Sequence, residues 1–192
     1  GGMMTTDDPQ LARHLARLRV HGMEPKYHHH EVGINSRLDA LQAAVLRVKL
    51  RHLDAWTNGR REAAGRYREL LDSRGLRDFV SLPTELADGL HVYNQFVIRV
   101  PGVLRDELRE FLTSKKIGTE IYYPIPLHLQ ECFKSLGHRH GDFPHAEAAA
   151  RETIALPMFP ELTDEQQRYI AGAIQVFADS HAHVALKSDR AA

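Results

Sequence analysis

The sequence predicts an α+β chain, in which a long helix leads into a small domain whose sheet is covered on one face by helices. Three observations predict it. Leu38, Leu41, Val45 and Val48 recur at spacings of three and four, and Leu46, Leu50 and Leu53 add a second apolar row, the pattern of a helix covered on more than one face. Val92, Phe96, Ile98 and Val100 alternate with Tyr93, Gln95 and Arg99, as in a half-buried strand. Residues 72–180 then read strand, helix, strand with helices following, the order of a two-layer α+β domain.

The elements follow in chain order. Asp7, Asp8 and Pro9 open a helix with Leu11, Leu15 and Leu18 on one face, and Gly22 ends it. Arg13, Arg17 and Arg19 read as its solvated side. Residues 22–32, GMEPKYHHHEV, lack periodicity and form a loop. Ser36 with Asp39 reads as a capping-box variant that starts the long helix. That helix is expected to run through Ala63, Ala64 and Tyr67 to about Leu71, with Asn58-Gly59 as a place to bend. Phe79–Leu82 is a possible strand. Pro101-Gly102 turns the chain into a helix carrying Leu104, Leu108, Phe111 and Leu112, with Lys115 and Lys116 in its last turn. Ile117–Tyr122 is a further strand, and Phe143–Ala155 a helix opened by Pro144. His138, Arg139 and His140 read as an exposed turn. Thr163 and Gln166 cap a last helix that turns Ile170, Ala173, Ile174 and Phe177 inward. Residues 181–192 are polar and patternless, a flexible tail.

Composition narrows the function classes. Over 192 residues, Lys plus Arg and Asp plus Glu number 25 each, so no global field draws the chain to nucleic acid or an anionic membrane. Cys132 is the only cysteine, which precludes an internal disulfide and fits a reducing, cytoplasmic setting. No apolar run approaches the ~20 residues that cross a bilayer, and no signal-peptide pattern is present.

Three groups of residues invite chemistry. Asn35, just after Gly33, is expected at a helix N-terminus, where unpaired N–H groups suit a phosphate; the alternative is a plain turn residue. Lys26 and Tyr27 pair a cation with a phenol donor, suited to a diphosphate, or stand on an incidentally charged loop. Tyr122–Gln130, YYPIPLHLQ, is stiffened by Pro124 and Pro126, so Tyr123 and His128 are held as a wall for a hydroxylated ligand; His128 could equally only pack. A metal on His28, His29 and His30 is disfavoured, because adjacent side chains do not easily converge on one ion and no Cys or HExxH pattern supports them.

Gly33-x-Asn35-x-Arg37-Leu38 followed by Gln42-Ala43-Ala44, then Tyr123-Pro124-Ile125-Pro126-Leu127-His128, Gly141-Asp142-Phe143-Pro144 and Ala155-Leu156-Pro157, together resemble the DegT/DnrJ/EryC1/StrS sugar aminotransferases. Val45–Leu50 with His52-Leu53-Asp54 and Trp56 is similar to members that aminate the third ring carbon of a dTDP- or UDP-linked keto sugar. The resemblance implies a fold-type-I, aspartate aminotransferase-like enzyme that uses pyridoxal 5'-phosphate (PLP). It implies transfer of an amino group, commonly from glutamate, to a nucleotide-linked keto-deoxysugar, in a homodimer with shared active sites. Residues 1–34 would be a remnant of the cofactor-binding large domain with a loop reaching the partner, 35–71 the interdomain helix and 72–180 the small domain. Asn35 would contact the cofactor phosphate of the opposite subunit. Lys26, Tyr27, Arg37, Tyr123 and His128 would contact substrate. Tyr122 departs from the His common at its position. In the resembling family a Gly-Gly like Gly1-Gly2 comes just after the cofactor lysine, so the resemblance implies a Schiff-base lysine upstream of residue 1; Lys26, Lys49, Lys115, Lys116, Lys134 and Lys187 are poor substitutes, and the chain, with no assigned catalytic residue, would be inactive alone. The other reading is non-catalytic: a dimerisation or scaffold module, or a sensor-like relative without that lysine.

Overall fold

A computed structural model describes residues 2–181; from residue 182 onward the expected tail lies outside them. Contacts divide the chain into two compact units, residues 1–53 and 54–192.

In the first unit, Asp8 caps α1 (Pro9–Leu18) by accepting from the Gln10 and Leu11 amides, and Pro9 sits where no amide is needed. Gly22 follows at φ 69°, its N–H bonded to the Arg17 carbonyl. The loop then doubles back, with an isolated antiparallel bridge pairing Val20 with Asn35. A Cβ on Gly22 would stand 2.0 Å from the Glu31 carbonyl oxygen, so only glycine admits this approach.

The expected long helix is corrected in three places. It starts at Ala40, not Ser36, because Asp39 itself is the cap and accepts from the Leu41 amide at 2.8 Å. It is two helices, α2 (Ala40–Leu50) and α3 (Leu53–Ser73), parted where the Arg51 and His52 amides bond three residues back, to Val48 and Lys49. Asn58-Gly59 does not bend it; Gly59 lies inside α3, where a Cβ would come within 2.8 Å of the Pro160 carbonyl oxygen. No residue of α2 is buried. Leu41, Val45, Leu46, Val48 and Leu50 are all exposed, so the cover expected for this helix is absent from the described residues.

The second unit holds the core. Antiparallel β1 (Phe96–Arg99) and β2 (Thr153–Leu156) pair Phe96 with Leu156 and Arg99 with Thr153. Single bridges flank them: Ser81 to Arg99 and Glu120 to Ala155. Thus the strands expected at 79–82 and 117–122 are reduced to one bridge each, and the true second strand occupies residues that the helical pattern had claimed. The helix there, α5, is Pro144–Glu152. Phe96 and Ile98 are completely buried, with Ala63, Ala64, Tyr67 and Leu71 of α3, Leu108 and Leu112 of α4 (Arg105–Ser114), and Ile170, Ile174 and Phe177 of α6 (Asp164–Ser180). Lys115 and Lys116 fall just beyond α4, as its C-cap and the residue after it. The capping box of α6, Thr163 with Gln166, forms as its spacing predicts. Arg66 joins α3 to the last helix, donating to Gln167 Oε1 at 2.7 Å and the Leu162 carbonyl at 2.9 Å.

Candidate functional site

In the first unit the candidate residues form two pairs. Lys26 Nζ lies 4.8 Å from the centre of the Tyr27 ring, a cation–π contact. Tyr27 is 75 % exposed at φ 71°. Their loop is fastened by Glu31, which receives His14 Nε2 at 2.6 Å and Arg17 Nε at 2.5 Å. Those two hydrogen bonds, His14's the larger, hold the Glu31 carboxyl below its usual range. His29 Nδ1 and His30 Nε2 bond the backbone carbonyls of His21 and Glu24; a ring nitrogen facing a carbonyl must carry the proton and is no ligand. Among the described residues, no group of three or more His, Cys, Asp or Glu is placed to hold a metal ion.

Arg37 Nε donates to Asn35 Oδ1 at 3.0 Å. Asn35 is five residues before Ala40, where α2 begins, and its backbone belongs to the bridge with Val20, so the expected helix N-terminus is not what it offers. What it offers is its amide: with Oδ1 occupied, Nδ2 remains a donor with no acceptor among the described residues. A fixed donor beside a guanidinium suits a phosphate oxygen.

In the second unit Tyr123 and His128 line one cavity of about 570 Å3, with Tyr122, Leu127, Phe133 and Phe143 among its walls. Tyr123 is at φ 59° and 70 % exposed. The His128 side chain is only 7 % exposed, and its Nε2 meets Glu147 Oε1 at 3.0 Å. Glu147 also receives His140 Nδ1 at 2.9 Å and the Gly141 amide at 2.8 Å. These donors, His140 first and Gly141 next, draw its carboxyl down to about 2. His140 is therefore more than an exposed turn residue. The loop of Tyr123 and His128 and the turn at 140–141 hang on one carboxylate of α5. Sequence reasoning gave Glu147 no role; its only signal was its place in the first turns of a helix that follows three histidines. It also missed a smaller cavity of about 280 Å3, lined by Asn94, Gln95, Thr119, Glu120 and Tyr122.

The structure thus brings Lys26 to Tyr27, Asn35 to Arg37, and Tyr123 to the cavity of His128. No hydrogen bond or ion pair joins the first two pairs among the described residues. Lys26, Lys49, Lys115, Lys116 and Lys134 are all exposed; Lys187 lies outside the described residues.

A helix-backed α+β domain follows, in sequence, a loop bearing an amide–guanidinium pair. The chain belongs to the DegT/DnrJ/EryC1/StrS aminotransferase family, whose sequence profile matches residues 1–175. Aminotransferases of this family are PLP-dependent. It is 50 % identical over 177 residues to the "Pleiotropic regulatory protein" of Geobacillus stearothermophilus, covering 92 % of this chain and 47 % of that protein. It is 43 % identical over 175 residues to the UDP-N-acetyl-3-dehydro-alpha-D-glucosamine 3-aminotransferase of Acidithiobacillus ferrooxidans, covering 91 % and 45 %. The crystal structure of S. venezuelae DesV matches with a TM-score of 0.82 at 38 % identity, over 90 % of this chain and 45 % of that one. The chain spans about half the length of the relatives it matches. Among the described residues no helix is long and apolar enough to cross a membrane.

Proposed function

We propose that this chain acts within a PLP-dependent transaminase that moves an amino group, with glutamate as donor, to the third ring carbon of a nucleotide-linked keto-deoxysugar. The observation that carries the reading is the family match over residues 1–175, together with 43 % identity to a relative named as a nucleotide-sugar 3-aminotransferase. Bound PLP supplies an electron sink; this chain's residues bind and orient. Asn35 Nδ2 donates to a phosphate oxygen of the cofactor held by the opposite subunit, while Arg37 fixes the amide and adds positive charge. Lys26 and Tyr27 meet the diphosphate of the substrate, and Tyr123 and His128 wall its sugar. None of the described lysines is buried, which supports a Schiff-base lysine supplied from outside this sequence. The exposed apolar residues of α2 support a homodimer in which each site is completed across the interface.

The test is amine transfer by the protein that carries this chain, given PLP, isotope-labelled glutamate and a dTDP-linked 3-keto-6-deoxyhexose. Labelled amino sugar and 2-oxoglutarate are expected in equal amounts; neither product would overturn the reading. A second reading, a regulatory or sensory relative, draws on the name of the 50 % identical protein. It expects nucleotide-sugar binding without 2-oxoglutarate.

A further inference from the structure

A further cavity of about 570 Å3 in the second unit has no part in the account so far, and it shares no lining residue with the cavity of Tyr123 and His128. Arg61, Gly65 and Arg68 belong to its lining; spaced by four and then three residues, they share one stripe of α3. Arg61 Nη1 donates to the His91 carbonyl at 3.0 Å. Arg68 Nη2 donates to the Tyr93 hydroxyl at 2.9 Å and to the Pro83 carbonyl. Both guanidiniums thus reach the segment 91–93, and all three acceptors are neutral. Neither arginine has a carboxylate at ion-pair distance among the described residues. Arg77, also in the lining, is bonded to Asp72.

Two features of the α3 stripe are not explained by folding. A guanidinium held by neutral acceptors keeps its charge uncompensated and its remaining N–H groups fixed in direction, an arrangement suited to an oxyanion. Gly65 stands inside a helix, where alanine is ordinarily the more stable choice. Unlike Gly59, it has nothing pressed against it: a Cβ would meet no atom within 4 Å among the described residues. The missing side chain leaves room between the two arginines for an incoming group to approach the helix.

The charge of the lining selects an anion. Against three arginines it sets one carboxylate, Glu85. That carboxyl is held below its usual range by the Tyr93 hydroxyl first, and by Arg61, Arg68 and His91 at longer range, so the field here already favours negative charge. A carboxylate ligand would set one charge against two unpaired guanidiniums. A phosphate monoester brings nearly two, with three acceptor oxygens to share between them. The volume exceeds what a bare phosphate fills and lies in the ~300–1,000 Å3 range of pockets for small organic ligands. Leu82 and Pro83 add an apolar surface for a carbon body.

We infer that this cavity binds a phosphate monoester with a small organic body, its phosphate between Arg61 and Arg68 over Gly65, with Glu85 as the competing carboxylate. The inference does not rest on the aminotransferase reading.

The probes are phenyl phosphate, benzoate and inorganic phosphate, titrated by calorimetry into the PLP-loaded protein that carries this chain, so that the cofactor's own phosphate site is filled. Phenyl phosphate is expected to bind more tightly than either of the others, since benzoate lacks the second charge and phosphate the body. Gly65→Leu fills the gap with a better helix former; it should keep or raise the melting temperature and abolish phenyl phosphate binding. Arg61→Gln should weaken binding about tenfold or more, the loss of a hydrogen bond to a charged group. Glu85→Gln, at an exposed position, removes the competitor and should tighten binding about twofold to fivefold. Phenyl phosphate that fails to bind wild type, binds no more tightly than benzoate, or binds Gly65→Leu and Arg61→Gln as it does wild type overturns the site. Amine transfer in the assay above can persist under either result, so the two readings fail separately.

Discussion

His128 Nε2 lies 3.0 Å from Glu147 Oε1, nineteen residues on in sequence, and both side chains are at most 8 % exposed. The contact anchors the proline-rich loop of Tyr123 to α5. An ionised Glu147 only accepts, so His128 Nε2–H is the donor in this contact.

Glu147 should therefore govern acid stability of the second unit. Its carboxyl is drawn down to about 2 from an ordinary 4.5. A depressed folded-state value means the contribution is complete above about pH 4.5 and lost as the pH falls toward 2. Glu147→Gln removes the carboxylate and keeps the shape. It should lower the melting temperature at pH 7 and flatten its fall between those pH values, as followed by circular dichroism. A variant with the wild-type acid profile would show that the carboxylate bears no such role.

Gly59 is inside a helix, where alanine is ordinarily better by ~1 kcal/mol. Here a Cβ would press on the Pro160 carbonyl at 2.8 Å. Gly59→Ala should destabilise the fold by about 1–3 kcal/mol, the usual cost of overpacking, measured by urea unfolding. A stabilised variant would mean that the Pro160 segment yields freely.

Much of the fold was legible in the sequence because its signals are local. Asp8-Pro9 and Thr163-x-x-Gln166 announce the starts of α1 and α6 within four residues, and both helices begin where those caps stand. β2 was hidden because Thr153–Leu156 follows Ala148-Ala149-Ala150 without a breaker, and its three consecutive buried residues, Ile154 to Leu156, show no alternation. The strands at 79–82 and 117–122 shrink to bridges because only one partner residue reaches each. The stiff loop places Tyr123 and His128 on one cavity. Glu147 was not legible, since its role comes from partners set by the tertiary fold.

The apolar surface of α2 predicts an interface. Leu41 is 75 % exposed and Val48 58 %, a cluster unlike the scattered apolar residues of an ordinary surface. Leu41→Lys with Val48→Lys should halve the mass seen by light scattering in the protein that carries this chain. An unchanged dimer would place the interface elsewhere.

The account turns most directly on whether Asn35 holds a cofactor phosphate, and cofactor retention measures that. In the protein that carries this chain, Asn35→Ala removes the unpaired Nδ2 donor and frees Arg37. Loss of one hydrogen bond to a charged group predicts PLP affinity about tenfold or more below wild type, read from absorbance after dialysis. Retention and turnover equal to wild type would contradict it.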